Sequence, residues 1–263
     1  LPETQEAFVL ETAGPFWAVE KVTGFRAISN GLSIGRDVHS VHPGAADFAR
    51  KKGWLNKGEE LDFAKAFSAF WMPRLARCTA RRTLSESQAK AGFGVQDAFG
   101  ILRSHAEEPF DPAKGSTGSV CMHASGLLCP HQTTGSMVAE LRHSGQHTVW
   151  LTGSPAACLS LFKPFYFGDD VLEETSPGSR EKYWQQWDAW HRKAILDYSA
   201  AHLVMTGEQH RLEAEWLSAD ASGHGGPELS REALEQSALV LDSLLSQVWK
   251  NQPPWWYRRF WKR

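Results

Sequence analysis

An asparagine followed by glycine ends the first group of predicted strands, at Ser29-Asn30-Gly31. The N–H donors of an asparagine side chain can bind a substrate carbonyl and stabilise the oxyanion that develops on it during acyl transfer. Asn-Gly is also a common pair in tight turns, where it has no chemical role. The residues alone therefore leave two interpretations of Asn30, an oxyanion-stabilising side chain and a turn.

A second set of reactive side chains comes from two Cys-x-His pairs, Cys121-x-His123 and Cys129-x-His131. Sulfur and nitrogen ligands of this kind can close a tetrahedral zinc site, although the spacing between the pairs is not that of a standard zinc finger. Residues two apart on a strand share a face, so Cys121 and His123 can alternatively act as nucleophile and base. Free cysteine is also a routine core residue, and on balance we predict no metal.

Composition excludes several classes of function. The formal net charge of -2 and the pI of about 6.6 argue against a nucleic-acid-binding protein, which needs a concentrated basic surface. No apolar run reaches the roughly 18 residues of a membrane span. The irregular spacing of the 4 cysteines does not resemble a disulfide framework and favours a cytoplasmic location. Phosphate-binding loops, H-E-x-x-H and G-x-S-x-G are absent from the sequence, and we expect no cofactor.

Two segments of the chain are locally basic although its net charge is close to zero. Four arginines fall close together, which is typical of a solvated helix face: Arg74, Arg77, Arg81 and Arg82. Residues 253–263 mix aromatic and cationic side chains, a combination that can lie at a membrane interface or stack on a partner. Packing of this aromatic-basic tail against its own domain is the alternative to docking a partner.

Short segments rich in β-branched and aromatic residues predict antiparallel strands. In the first group, strands at 8–12 and 17–22 and a third after Gly24 form a meander that delivers Ser29 and Asn30. A second antiparallel group is predicted further along the chain, at 119–123, 133–141, 147–153 and 159–165.

Helices are predicted between and after these strands. Apolar residues at helical spacing fall in 43–52, 61–67 and 95–104, and the last of these has a stripe of Val95, Phe99 and Leu102. From about Arg180 the period of 3.6 predicts a pair of helices, the second with Ser230 as its N-cap.

Strands, helices, strands and helices in this order indicate an α+β fold with antiparallel sheets rather than a βαβ fold. We predict a main domain over 1–175, a helical extension over 176–252 and the tail over 253–263.

A series of short blocks follows a fixed order between residues 6 and 168. The blocks are Glu6–Gly14, Trp17-Ala18, Ile28–Asn30 with Leu32–Ile34, His42-Pro43 with Gly53-Trp54, Ile101–Arg103, Val120–His123, Thr133-Thr134 with Ser136–Val138, and Leu151–Pro155 with Phe162–Phe165. Taken together they resemble the secernin family and the dipeptidase A-type cysteine peptidases, which belong to the N-terminal-nucleophile (Ntn) hydrolases.

The resemblance implies a four-layer αββα core in which a cysteine at a freed N-terminus attacks an amide. The α-amino group of that cysteine acts as the base, because an α-amine titrates near pH 8. In the wider superfamily an asparagine at the Ile-Ser-Asn position helps to build the oxyanion hole, and Asn30 matches it. The same blocks imply substrate-binding roles for Ser29, His123, Thr134 and Ser136.

Members of the family carry the nucleophile well upstream of the Leu-Glu-Thr block, and Leu1 is not a catalytic terminus. We therefore expect the larger part of a secernin-like cysteine-type amide hydrolase, dipeptidase-like, with the nucleophilic cysteine on an absent or separate N-terminal segment. The alternative is a catalytically inactive secernin-like binding or scaffold subunit, since a fold does not imply its chemistry. The expected partners are that segment or a companion chain, in a homo-oligomer or a larger complex.

Overall fold

A computed structural model describes residues 6–68, 77–90, 92–127, 129–143, 145–171, 177–247 and 253–261. The chain divides into two compact units, Leu1–Lys90 and Ala91–Arg263. Each unit combines helices with one three-stranded antiparallel sheet, which confirms the predicted α+β class. The predicted domains at 1–175, 176–252 and 253–263 are a different division of the chain and stay a prediction.

The sheet of the first unit is built on a hairpin. Strands β1 (Phe8–Ala13) and β2 (Phe16–Lys21) pair antiparallel, and Gly14 takes the positive φ of 59° that the tight turn needs. The third strand, β3, is Ser40–Val41, which pairs with the other edge of β2. The predicted third strand before Asn30 is therefore wrong. A turn at Gly24 takes the chain away from the sheet, and Ser29 forms only an isolated bridge with Gly31.

Three helices complete the described part of this unit, α1 (Ala45–Lys51), α2 (Phe63–Phe67) and α3 (Cys78–Ser87). The first two confirm the helices predicted at 43–52 and 61–67. Asp62 is the N-cap of α2, and its carboxylate accepts a hydrogen bond from the Lys65 N–H at 2.9 Å.

In the second unit, helix α4 (Val95–Arg103) precedes the sheet, whose strands β4 (Met137–Glu140), β5 (Thr148–Leu151) and β6 (Lys163–Tyr166) pair in chain order. Phe99 is buried, and Val95 and Leu102 pack against the same core, which confirms the predicted stripe.

The strand predicted at 119–123 is wrong. This segment has no ladder; its backbone is held by single hydrogen bonds instead, from the Cys121 N–H to Ser104 O at 3.0 Å and from the Thr133 N–H to Met122 O at 3.0 Å. A short 3-10 turn, Pro112–Lys114, lies between α4 and this irregular segment.

The C-terminal region has more helices than the predicted pair: α5 (Pro177–Ala194), α6 (Tyr198–Glu208), α7 (Ala214–Ala221), α8 (Pro227–Ser246) and α9 (Trp255–Trp261). One π-helical turn, Gln209–Glu213, joins α6 to α7. The predicted cap is also wrong, because α8 begins earlier, with Gly226 as N-cap and Pro227 in the first turn. Ser230 lies inside the helix and donates to Gly226 O at 3.4 Å.

The aromatic-basic tail packs in part on its own unit. Tyr257 is fully buried, and the Arg192 guanidinium lies 5.2 Å from the centre of the Trp261 ring. Trp255 and Trp256 remain 68% and 40% exposed, so docking of a partner on the tail stays a prediction. Residues 262–263 lie outside the described residues. Among the helices that the structure describes, none is long and apolar enough to span a membrane.

Candidate functional site

Ser29 and Asn30 meet an arginine from a distant part of the first unit. The Arg81 side chain on α3 donates to Ser29 Oγ from Nε at 3.2 Å and from a terminal nitrogen at 3.0 Å, and the same terminal nitrogen donates to Asn30 Oδ1. The predicted solvated face is therefore wrong for Arg81, which is half-buried in these contacts. Arg82 forms a pair with Glu86 on the same helix at 3.7 Å, and Arg74 lies outside the described residues.

The arginine fixes which end of the Asn30 amide can bind another group. An asparagine side chain has one acceptor oxygen and two N–H donors. Because Oδ1 accepts from Arg81, the donor end remains for an acceptor such as a carbonyl oxygen. Asn30 itself is exposed and Ser29 is half-buried, so a ligand can reach this pair from solvent.

The segment that carries Ser29 and Asn30 is tied to the hairpin. Glu11 of β1 accepts hydrogen bonds from the N–H groups of Ser33 and Ile34 at 2.7 and 2.9 Å. Arg26 forms a bidentate pair with Glu20 of β2 at 2.8 and 3.0 Å, and it also donates to Ser33 Oγ at 2.8 Å. These charged contacts bind both sides of the 29–31 bridge to the sheet and give it a defined position.

An open depression lies beside this pair, with a volume of about 440 Å³. Its lining is Leu10, Glu11, Thr12, Ala13, Ile28, Ser29, Asn30, Gly31, Leu32, Phe67 and Ser68. Apolar side chains with a few convergent polar groups are typical of small-molecule sites, and the volume lies within their usual range. We call this region the Asn30 depression.

The second unit contains a different cluster of reactive side chains, His105, Cys121, His123 and Cys158. One ligand atom from each of the four lies within 4.8 Å of all the others. Cys121, His123 and Cys158 are each fully buried, whereas His105 is half-buried. We call these four residues the Cys–His cluster.

Two contacts inside the cluster have hydrogen-bond-like distances. His123 Nε2 lies 3.8 Å from Cys121 Sγ and 3.1 Å from Cys158 Sγ. On its other side, His123 Nδ1 lies 3.2 Å from Nε2 of the buried His191. Tyr198 packs edge-on against both His105 and His123.

The surroundings of the two thiols shift their pKa values in opposite directions. The neighbouring Cys158, followed by the His105 and His123 imidazoles, holds the pKa of Cys121 well below its usual range, against the opposing effect of burial. Burial, and then the neighbouring Cys121, raise the pKa of Cys158 well above its usual range. Burial also lowers the pKa of His191 far below the ordinary value, so this imidazole is neutral.

Short connections place the four residues. His105 follows the C-terminus of α4, and the Cys121 N–H donates to the Ser104 carbonyl next to it. Cys158 lies in a 3-10 turn, Ala157–Leu159, whose carbonyls are held from two sides. Arg103 donates to Ala157 O and Ser160 O, both at 3.1 Å, and Gln209 donates to Cys158 O at 3.1 Å.

The cluster differs from the zinc pattern considered in the sequence. Cys121 and His123 come together, but the second pair does not join them: Cys129 Sγ only donates to His123 O at 3.9 Å, and His131 is exposed. Their partners are instead His105 and Cys158, which belong to no motif in the sequence. No spacing rule links these two residues to Cys121, so only their ligand chemistry could have marked them.

The remaining predicted site residues lie in the second unit. Thr134 is exposed, and its carbonyl accepts a hydrogen bond from Trp184 Nε1 at 3.2 Å. Ser136 pairs with Thr152 through its backbone, at 2.9 and 3.0 Å. The structure thus brings Ser29 and Asn30 together and places His123 in the Cys–His cluster. Substrate-binding roles for Ser29, His123, Thr134 and Ser136 stay predictions.

Among the residues that the structure describes, the chain is an α+β protein with a solvent-open polar site in the first unit and a buried cluster of sulfur and nitrogen ligands in the second. No protein-family model matches the chain. The resemblance to the secernin family therefore rests on the ordered sequence blocks alone and stays a prediction.

Proposed function

We propose that this chain is the larger part of a secernin-like cysteine-type amide hydrolase, dipeptidase-like, in which the Asn30 depression binds the scissile amide. The nucleophile in this proposal is a cysteine on an N-terminal segment or companion chain, and the complete domain is an αββα sandwich. The supporting observation is the contact of Arg81 with both Ser29 and Asn30 at the depression.

Asn30 supplies oxyanion stabilisation in this scheme. Attack on an amide carbonyl moves negative charge onto its oxygen, and an oriented N–H donor stabilises that charge more than it stabilises the neutral substrate. The Asn30 amide is oriented before any substrate binds, because its Oδ1 is already held by Arg81. Such preorganisation avoids the cost of turning the donor during the reaction.

Arg81 acts as a positioning residue. It orients Asn30, and its charge adds a favourable potential for the oxyanion that forms nearby. A lysine would not replace it fully, because the planar guanidinium reaches Ser29 Oγ with two nitrogens and Asn30 with one of them.

The direct test is hydrolysis of a dipeptide panel by protein expressed with the coding region upstream of Leu1. Asn30→Ala should lower kcat by about 100- to 1,000-fold with little change in KM, the usual effect of losing one oxyanion donor. Asn56→Ala is the matched control, since Asn56 is exposed in the same unit and bonds only to Glu59 among the contacts of its amide side chain that the structure describes.

Two results would contradict the proposal. One is turnover that survives replacement of every upstream cysteine by alanine, which would remove the cysteine nucleophile from the mechanism. The other is a complete lack of dipeptide hydrolysis by the extended protein, which would favour the inactive binding or scaffold subunit.

A further inference from the structure

We propose that the Cys–His cluster of the second unit is a structural metal site, with Zn²⁺ as the ion it fits best. This inference is independent of the amide-hydrolase proposal, because its four residues lie in the second unit and the Asn30 depression lies in the first.

The ligand types select the ion. Two thiols and two imidazoles offer soft and borderline donors, which favour Zn²⁺ over the oxygen-preferring Mg²⁺ and Ca²⁺. Tetrahedral coordination with bonds of about 2.3 Å to sulfur and about 2.0 Å to nitrogen separates a nitrogen ligand from a sulfur ligand by roughly 3.5 Å. The distances of 3.8 and 3.1 Å from His123 Nε2 to the Sγ atoms of Cys121 and Cys158 lie on either side of this separation.

The burial of the two thiols also suits a cation. Cys121 and Cys158 are both fully buried, and a cysteine binds zinc as a thiolate, with release of the thiol proton. Buried charges are paired or coordinate a metal, so a divalent ion between the two sulfurs supplies the compensating charge that two buried thiolates need.

His105 has a nitrogen that protein groups leave unused. Nε2 of His105 is buried and has no hydrogen-bond partner among the residues that the structure describes. Buried polar atoms almost always have a partner, and an unpartnered one needs an explanation. A metal ion in the cluster would take the lone pair of this nitrogen. The ring is meanwhile held flat against Phe110, with the ring centres 3.6 Å apart.

The residues around the cluster complete the arrangement expected of a metal centre. A metal-bound histidine usually donates its second ring N–H to another group, which fixes the tautomer and the ring orientation. With Nε2 of His123 on the metal, Nδ1 carries the hydrogen and donates to His191 Nε2 at 3.2 Å.

The position of the cluster argues for a structural role rather than a catalytic one. Four protein ligands close the tetrahedron, whereas a catalytic zinc keeps one position for water or substrate. The ligands join the end of α4, the irregular 119–123 segment and the 157–159 turn, which are regions without sheet pairing. A cross-link there replaces the ladder hydrogen bonds that this part of the chain lacks.

Metal analysis of the purified 263-residue chain tests the proposal. We expect about one zinc ion per chain after purification under reducing conditions, and exchange with Co²⁺ should give the visible bands of a tetrahedral thiolate site. His105→Phe retains the stacking partner of Phe110 but removes a ligand, so the metal content per folded chain should fall well below one equivalent. His105→Cys supplies a sulfur ligand instead and should restore binding.

Cys129→Ser is the matched control, because Cys129 is a buried free cysteine beside the cluster but not a ligand. It should bind metal as the unmodified chain does. The proposal is overturned if the folded unmodified chain contains no metal and takes up neither Zn²⁺ nor Co²⁺. It is equally overturned if mass analysis finds a Cys121–Cys158 disulfide in protein that was never exposed to oxidant, or if His105→Phe binds metal as tightly as His105→Cys.

Discussion

The Asn30 depression and the Cys–His cluster use polar side chains in opposite environments. Asn30 is exposed, and Arg81 and Ser29 hold it through hydrogen bonds at the protein surface. The cluster is in the core, where three of its residues have no accessible surface at all. Electrostatic interactions are several times stronger away from water, so the same number of polar contacts has a larger effect on stability in the core.

This difference in exposure predicts different consequences when each group is removed. An exposed amide donor can meet a substrate, and its loss should change a rate while the fold remains. A buried group of thiols and imidazoles cannot meet a substrate without opening the core, and its loss should change stability first.

Metal removal should have the largest effect. Structural zinc contributes on the order of 10 kcal/mol to the folding of small zinc domains, so a chelator should greatly increase amide hydrogen exchange in 104–123 and 157–160. The hairpin at 8–21 in the first unit should keep its protection. An equal loss of exchange protection in the hairpin, or no loss near the cluster, would contradict a stabilising metal site in the second unit.

Loss of the Arg103–Glu213 ion pair, which lies beside the cluster, should have the second-largest effect on stability. Arg103 donates to both carboxylate oxygens of Glu213, at 2.9 and 2.5 Å, and Glu213 also accepts from the Phe162 N–H at 2.7 Å. Glu213→Ala leaves a largely buried arginine unpaired, so the free energy of unfolding should fall by about 3–5 kcal/mol. Urea denaturation measures this change.

Glu208→Ala is the control for that variant. Glu208 pairs with Arg211 at 2.6 Å in a partly exposed position, where ion pairs contribute less than about 1 kcal/mol. Similar losses for Glu208→Ala and Glu213→Ala would show that burial does not set the strength of these contacts.

Lys163 should give the second unit a characteristic pH dependence. Burial lowers the pKa of Lys163 to about 7, from its ordinary value of 10.5, while Glu213 acts weakly in the opposite direction. Between these two values the unfolded chain binds a proton that the folded chain has released, so stability rises with pH. The rise should be about 2–3 kcal/mol between pH 7 and 9.

Lys163→Met should remove this rise. Below the folded pKa both states are protonated, so the difference between the two proteins should stop changing there. Denaturation midpoints at several pH values measure it. A parallel pH dependence in Lys163→Met and the unmodified chain would exclude Lys163 as the source.

Arg81→Met should have the smallest effect, and only on catalysis. Without its guanidinium the Asn30 amide is no longer oriented, and we expect kcat of the extended protein to fall by about 10-fold, less than on removal of the oxyanion donor itself. Arg82→Met, on the same helix, should leave kcat unchanged. A loss of stability in Arg81→Met with no loss of rate would make Arg81 a structural residue.

Local sequence patterns predicted the secondary-structure elements that depend on interactions between residues close in the chain. The hairpin around Gly14 follows from strand-forming residues on both sides of one turn, and α2 follows from its Asp62 cap and apolar spacing. The irregular segment at 119–123 has the same apolar composition as a strand. The segment forms no strand because its backbone hydrogen bonds are made with Ser104 and with Thr133. No local sequence pattern reveals these partners.

The two sites show the same limit. Ser29 and Asn30 are adjacent in the chain and were predicted together, but their contact with Arg81 depends on tertiary packing. Cys121 and His123 were likewise predicted as a pair, whereas His105 and Cys158 join them only through the fold. Sequence therefore located the residues of each site that are close together in the chain, and the fold brings in the others.

X-ray absorption at the zinc edge of the purified chain is the most direct test of a buried metal centre in the second unit. The predicted spectrum has about two sulfur ligands at about 2.3 Å and about two nitrogen ligands at about 2.0 Å. A shell of oxygen ligands alone, or the absence of bound metal in folded protein, would contradict a metal centre in the core of the second unit.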